Sequence, residues 1–403
     1  MKKYLSVLLG GLLLTIFAWA EEPPVEEDLY MTAMQSIADG RRADASLILE
    51  RMIARGPRHA GEWLDLAMIQ CALGHAGDAE TLFQRIEQDF APPQGIRDVI
   101  AQQREQGCYR WKAQLLWDVS LARGFDSNVN QGASIPTYVD SNGVPLELLS
   151  EYKPHADHYS ILTGDYLREL TPEGDLVYGQ LHLRQYDRQS AYNSASAFLG
   201  ADHPWQLGRW QMRSSALLGA LTLGGVLYQE QAQLQLRAAP PLKLPKGYDF
   251  SFQGSVSHTS YKSLLNFDSN TYEWRSVLGY RDERRQAQAA LGYQRDLATG
   301  ERPGGDRNGW SGRLYGRGTL PAELQGELEL TGQHWSGQRP YSPGLIDAVR
   351  HQNTVVLRTA LIYPLRRDQS IQLEWRQVRN RENISIFQYD AHQIQLSWRW
   401  NNL

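Results

Sequence analysis

The residues best able to do chemistry in this 403-residue chain are two small polar clusters and a long series of alternating polar side chains. Asp126, Asn128 and Asn130 stand at the spacing of the first three ligands of a calcium loop. Its sixth position is Gln131, where the loop needs glycine, and its twelfth is Thr137, where it needs glutamate, so the segment reads as a polar strand end at an outer surface. His155, Asp157 and His158 offer nitrogen and oxygen ligands, but histidines in a loop are ordinarily solvated, and no metal is assigned to them. The chain contains no GxSxG, phosphate loop, HExxH or CxxC pattern. No catalytic residue and no cofactor is therefore expected, and the chain reads as a non-enzyme.

The larger signal is the alternation itself. Ile394, Leu396, Trp398 and Trp400 interleave with Gln393, Gln395, Ser397 and Arg399, and Ala232, Leu234 and Leu236 interleave with Gln231, Gln233 and Gln235. A period of two marks β-strands with one apolar and one polar face. The polar face is unusually rich in Gln, Arg and Glu, as suits a wet lumen rather than a sandwich core. The expected lumen-lining residues are Arg184, Gln231, Gln233, Gln235, Arg275, Arg313, Arg358, Glu374, Arg376 and Arg399. Their mixed signs suit passage of a polymer or polypeptide better than selection of one small ion.

Such segments start near Trp111, Asp157, Asp175, Ser194, Arg209, Gly225 and Gly247, and again near Ser269, Arg284, Asn308, Ala322, Gln352, Asp368 and Tyr389. That predicts an all-β transmembrane barrel of about 14 antiparallel strands over residues 109–403. Connections at Asp126–Ala156, Lys262–Asp268, Ala298–Arg307, Gly337–Arg350 and Asn380–Gln388 are long; those at Pro172–Gly174, Asp282–Glu283, Leu320–Pro321 and Leu365–Arg367 are short. Bacterial barrels keep their short turns periplasmic, which puts whatever precedes the first strand in the periplasm. Aromatic residues recur at segment ends, among them Trp117, Trp205, Trp274, Trp335 and Trp398, where a headgroup-level belt is expected.

The formal net charge of -4 gives no reason to expect nucleic acid. A mean hydropathy of -0.49 fits a barrel, whose strands show lipid only every second residue. Lys2 and Lys3, the apolar run Leu5–Phe17 and Ala18-Trp19-Ala20 read as a signal peptide over residues 1–20.

Residues 21–108 read as a small all-α domain, with apolar residues at helical spacing. Ala33, Gly40, Ala45 and Leu49 recur 34 residues later as Ala67, Gly74, Ala79 and Phe83. Glycine permits the turn within each helix pair, the alanines let paired helices approach, and Leu49 and Phe83 fill the space between pairs. This resembles the tetratricopeptide repeat, with about two repeats and a last helix near Ile96–Gln106. A first-helix face around Tyr30, Ala33, Trp63 and Gln70 is the expected partner-binding surface. Cys71 and Cys108 leave two options open, an export-compartment disulfide or a buried free thiol at Cys71.

A signal peptide, a tetratricopeptide-like domain and a barrel, joined through Ala91-Pro92-Pro93-Gln94 and the strand end Asp126-Ser127-Asn128-Val129-Asn130-Gln131, resemble the surface lipoprotein assembly modifier (Slam) family. The resemblance implies an outer-membrane translocator that delivers lipoproteins to the cell surface. It also implies contacts with outer-membrane lipid, with a periplasmic cargo lipoprotein or chaperone, and with the barrel assembly machinery. The helical domain is shorter than that role leads one to expect, and Asn401-Asn402-Leu403 stands where a terminal phenylalanine would. An exopolysaccharide export porin is the alternative, and a passive porin or surface receptor the third class.

Overall fold

The computed structural model describes residues 29–38, 42–108, 112–139 and 143–402. The expected signal peptide, Gly40, the strand opening at Trp111 and the terminal Leu403 lie outside the described residues. The chain divides between Trp111 and Lys112 into two compact units.

The first unit holds five described helices: α1 (Leu29–Ala38), α2 (Arg42–Arg55), α3 (Ala60–Leu73), α4 (Ala76–Asp89) and α5 (Gln94–Gln106). Helix α3 is apolar on two sides, and this puts it in the middle. Leu66, Ile69 and Leu73 pack with Leu29, Ala33, Ala45 and Leu49, while Ala67 and Cys71 pack with Ala79, Phe83, Ile86 and Ile100. Gly74 ends α3 at φ 95°, a left-handed conformation that glycine adopts without a Cβ clash, and its N–H donates to the Cys71 carbonyl. Cys71 and Cys108 form a disulfide, which replaces the free-thiol reading of Cys71 and ties the segment after α5 to α3. Arg104 on α5 donates to Glu80 and Glu87 of α4, each at 2.8 Å.

The second unit is a closed antiparallel barrel of 14 strands, with a small hairpin in its first connection. The strands are β1 (Leu115–Asp126), β4 (Asp157–Glu169), β5 (Leu176–Tyr186), β6 (Ser194–Leu207), β7 (Trp210–Leu223), β8 (Val226–Ala239) and β9 (Tyr248–Tyr261). They continue as β10 (Ser269–Arg281), β11 (Arg285–Ala298), β12 (Arg307–Thr319), β13 (Gln325–Ser342), β14 (Ile346–Arg366), β15 (Gln369–Glu382) and β16 (Tyr389–Asn401). The hairpin strands are β2 (Thr137–Val139) and β3 (Pro145–Glu147). Each barrel strand pairs with its sequence neighbour, and β1 closes the ring by pairing with β16, Asp118 opposite Asn401 through Asp126 opposite Gln393. Closure leaves no strand edge unpaired, a condition lipid imposes on any spanning β-structure.

The register carries the sequence alternation around the whole ring. Leu199, Leu218, Leu234, Leu291, Leu314 and Leu328 point outward and are exposed, Leu234 by 67%. An apolar surface of this extent is stable against hydrocarbon and costly against water. The barrel therefore reads as a membrane-spanning one.

One expected long connection is not a loop. Between Gly337 and Arg350 the chain stays in β13 and β14 and turns only at residues 343–345. Two prolines and two glycines made this stretch resemble a loop. Pro340 is accommodated by shifts in the β13–β14 register on either side of it, where its missing N–H costs no ladder bond. Likewise β13 starts at Gln325, not Ala322, because the chain turns after Pro321 through positive φ at Ala322 and Glu323.

Candidate functional site

Parity decides what the lumen contains. Pairings such as Glu329 with Arg358 and Arg358 with Arg376 set long side chains beside one another on the inner face. Arg358 donates to Glu374 Oε2 at 2.8 Å from Nε and to Glu327 Oε2 at 3.0 Å from Nη1. Arg313 donates to Glu329 at 2.7 Å and to Gln288 at 2.7 Å. Arg399 lies 3.3 Å from Asp118 and donates to Gln372 at 3.1 Å. These reciprocal pairs form a charged wall over β12–β16 and β1.

Across β8 and β9 the lining changes character. Gln231, Gln233 and Gln235 stand opposite Thr259, Ser257 and Ser255, a band of amides and hydroxyls without charge. Towards the end where β1 begins, this wall regains charge through Arg213–Asp202 and Arg237–Asp249.

Five of the ten residues singled out from sequence, Arg184, Arg358, Glu374, Arg376 and Arg399, line one cavity of about 570 Å³. The other five share their inner-face parity but lie outside that cavity: Gln231, Gln233 and Gln235 on β8, Arg275 beside Glu273, and Arg313 beside Glu329. The residues singled out from sequence left out the partner carboxylates Asp118, Glu327 and Glu329, although Glu327 and Glu329 alternate with Leu328 and Leu330 on the polar face of their strand. Parity along β1 and β13 was the signal that could have found them.

At the end where β1 finishes, the first long connection is built into the barrel. Asp126 is the last residue of β1, a polar strand end as read from the sequence, and it and Asn128 are each only 2% exposed because their own loop covers them. Asp126 accepts from the Asn128 N–H and from Gln393 Nε2. Asn128 Nδ2 donates to the carbonyls of Gly132 and Asp390, while its Oδ1 accepts from the Gly132 N–H. Of the side-chain oxygens that would ligate calcium, Asp126 Oδ2 is spent on β16, and Asp126 Oδ1 and Asn128 Oδ1 on backbone N–H groups of the loop itself. The loop also bonds Ser134 N–H to the Gln388 carbonyl, and Val129 packs onto Tyr159 and Tyr186. Tyr159 can lie across β1 because Gly124 has no side chain; a Cβ there would sit 2.6 Å from the ring, which bonds Gln395 at 3.1 Å.

Two more clusters sit near this end. Asp296 is 1% exposed between Arg302 and Arg307, and Arg307 covers the Trp335 ring at 4.6 Å. Trp335 is thus buried on the inner face and is no part of a headgroup belt; its odd position on β13 matches Glu327 and Glu329. Arg350 grips the buried Glu382 with two bonds of 2.6 and 2.7 Å and covers Phe387.

The Asp157, His158 and Asp187 ligand atoms lie within 4.8 Å of one another. Asp157, however, accepts three backbone N–H groups, from His158, Arg188 and Gln189, and Asp187 is ion-paired with Arg123. That pair holds the Asp187 carboxyl below its ordinary range. His155 is turned away, its Nε2 at 2.9 Å from the Ser150 carbonyl.

In the helical unit Ala33 alone of the four expected partner-binding residues is buried, and Tyr30, Trp63 and Gln70 are half-buried. Ala33 is wholly buried between α1 and its neighbours, so it cannot meet a partner. Trp63 packs against both core clusters with Arg85 over its ring at 4.1 Å. Gln70 Oε1 lies 2.6 Å from His75 Nδ1, bracing the turn at Gly74. Tyr30 packs, half-buried, on the first cluster. Burial of the small residue is what lets the helices approach, and the same packing removes it from the face.

No protein-family model matches the chain, and no curated protein sequence aligns with it. Solved structures do resemble the barrel. The outer membrane channel DcaP of Acinetobacter baumannii is similar at 11% identity and TM-score 0.40, over 72% of this chain and 97% of that one. A bacterial polysaccharide outer membrane secretin is similar at 8% identity and TM-score 0.41, over 71% and 98%. A Pseudomonas aeruginosa FadL homologue is similar at 9% identity and TM-score 0.39, over 72% and 91%.

Proposed function

We propose that this protein is an outer-membrane translocator that delivers lipoproteins, or other proteins, to the cell surface, with its tetratricopeptide-like helices recruiting cargo or a chaperone in the periplasm. The observation that carries the reading is the pairing of charge in the lumen. A wall in which Arg313, Arg358 and Arg399 are each neutralised by a carboxylate stays wet without a strong net field. Such a wall lets a polar chain slide past and selects no single ion. Orientation supports it too, since β1 begins at the end where most connections are short, 208–209, 282–284 and 367–368 among them. The connection 240–247 is longer there and 224–225 at the other end is as short; bacterial barrels keep their shorter end periplasmic.

A second reading, export of a polysaccharide, is favoured by the amide and hydroxyl band on β8 and β9, whose donors and acceptors match a hydroxyl-rich chain. Protease shaving of intact cells separates the two. In a strain lacking the protein, a co-expressed surface lipoprotein is expected to become protected. Unchanged exposure of every lipoprotein tested, with loss of an extracellular polysaccharide, would replace the first reading by the second.

A further inference from the structure

The arginines of the lumen cavity are of two kinds. Arg358 and Arg399 are held by carboxylates. Arg184 and Arg376 line the same cavity, and among the described residues neither has a carboxylate partner. Arg184 lies over the Tyr159 ring at 4.9 Å, donates from Nη1 to Tyr186 Oη at 3.3 Å, and keeps its Nε–H shut from solvent with no acceptor. A guanidinium carries five donors in one plane; the Arg184 Nε–H is closed to a ligand as it is to water, and the donors left to an acceptor in the cavity are those on the terminal nitrogens of Arg184 and Arg376.

The cavity's own acids do not meet that need. Glu329 and Glu374 are taken by Arg313 and Arg358, and Asp118 by Arg399. Asp165 accepts from Gln180 Nε2 at 2.8 Å and has no cationic partner among the described residues. Four arginines and four acids line the space, so its formal charge is balanced. A singly charged planar carboxylate is tolerated there and matches the guanidinium fork, whereas a doubly charged phosphate meets stronger repulsion from the unpaired Asp165. The uncharged band of Gln231, Gln233 and Gln235 offers hydrogen bonds for hydroxyl groups within the same lumen.

We propose that Arg184 and Arg376 form a carboxylate subsite of the lumen and that its ligand class is a sugar acid. The assignment rests on the polysaccharide reading above. The ligand is either a free sugar acid or an acid unit of a passing chain, and both share the same carboxylate chemistry.

The test is calorimetric titration of the full chain, folded in detergent micelles, with galacturonate, trigalacturonate, maltotriose and triglutamate. Saturable binding of trigalacturonate is expected, weakened about ten-fold by R184Q and by R376Q and kept within a few-fold by R376K. Galacturonate binding as tightly as trigalacturonate assigns the site to free sugar acids; weaker binding assigns it to a chain. No saturable binding to the wild-type chain, wild-type affinity in R184Q and R376Q, or triglutamate and maltotriose binding as well as trigalacturonate would overturn the proposal. Because variants could misfold, the reversal potential of the reconstituted wild-type chain under a KCl gradient is read alone first. It is expected to move when trigalacturonate is added, and an unmoved potential counts against the subsite. A strain that keeps its polysaccharide while the purified chain still binds trigalacturonate removes the export reading and leaves the subsite standing.

Discussion

Two arcs of one barrel solve the problem of a wet interior differently. Over β12–β16 and β1 the inner face is charged, and most of its charges, Arg376 excepted, reach a partner on an adjacent strand, as Arg358 reaches Glu327 on one side and Glu374 on the other. Over β8 and β9 the inner face carries amides and hydroxyls, with Gln231, Gln233 and Gln235 making no side-chain tie to another strand among the described residues. The charged arc couples its strands through side chains as well as backbone, so it resists deformation. The neutral arc keeps its hydrogen-bonding capacity free for water or for a passing chain. Tyr159, Asn128 and the first long connection attach to the charged arc, so the stiffer arc also anchors the mouth.

The contrast can be broken by substitution. R358A should have the largest effect. It leaves Glu374 without a cation and Glu327 with only the longer contact to Arg317, both carboxylates being largely shielded, a loss of about 3 kcal/mol. A lowered urea midpoint for refolding into detergent is the measurement, and a midpoint equal to wild type would show that the charged arc carries no such coupling. G124V comes next, at about 2 kcal/mol, because its side chain must displace the Tyr159 ring and its bond to Gln395. Its readout is the urea midpoint together with faster proteolysis within 127–156.

The helical unit supplies the same ion-pair chemistry in water and so sharpens the comparison. R104A releases Glu80 and Glu87 at an exposed site and should cost under about 1 kcal/mol, read from the helical melting transition. The Arg104 guanidinium holds the Glu80 carboxyl below its ordinary value of 4.5. The stabilisation from this pair is thus fully present above that value and is lost as pH falls through the lowered one. The wild-type melting temperature should drop in that acidic window by more than that of R104A, and equal drops would sink the assignment. Q233A on the neutral arc should be the mildest of all, within about 0.5 kcal/mol. A Q233A loss as large as that of R358A would abolish the distinction between the arcs.

Much of this was legible before any coordinates. Strand β16 begins at Tyr389 and β4 at Asp157, where the alternation in the sequence starts, because a period of two is a local property that each strand writes into its own residues. In the helical unit Gly74, Ala67, Ala79 and Phe83 occupy the turn and core positions that the 34-residue repeat assigns them. Trp335 was misread although its parity was in plain view: odd positions on β13 face inward, and an aromatic near a strand end drew attention to the membrane boundary instead. The partner-binding face failed at Ala33 for the opposite reason, since a residue small enough to let helices touch is buried by that contact.

By itself the sequence determined the class of fold, the near-constant inward set and the period of the helices, because each follows from which neighbours a side chain has along its own element. Only the tertiary structure decided that Cys71 bonds Cys108, that Asn128 holds Asp390 from the far end of the chain, and that Arg358 is paired while Arg184 and Arg376 are not. Those facts depend on register between strands and on packing between helices. A one-residue slip of a single strand would exchange every partner while leaving the local pattern untouched.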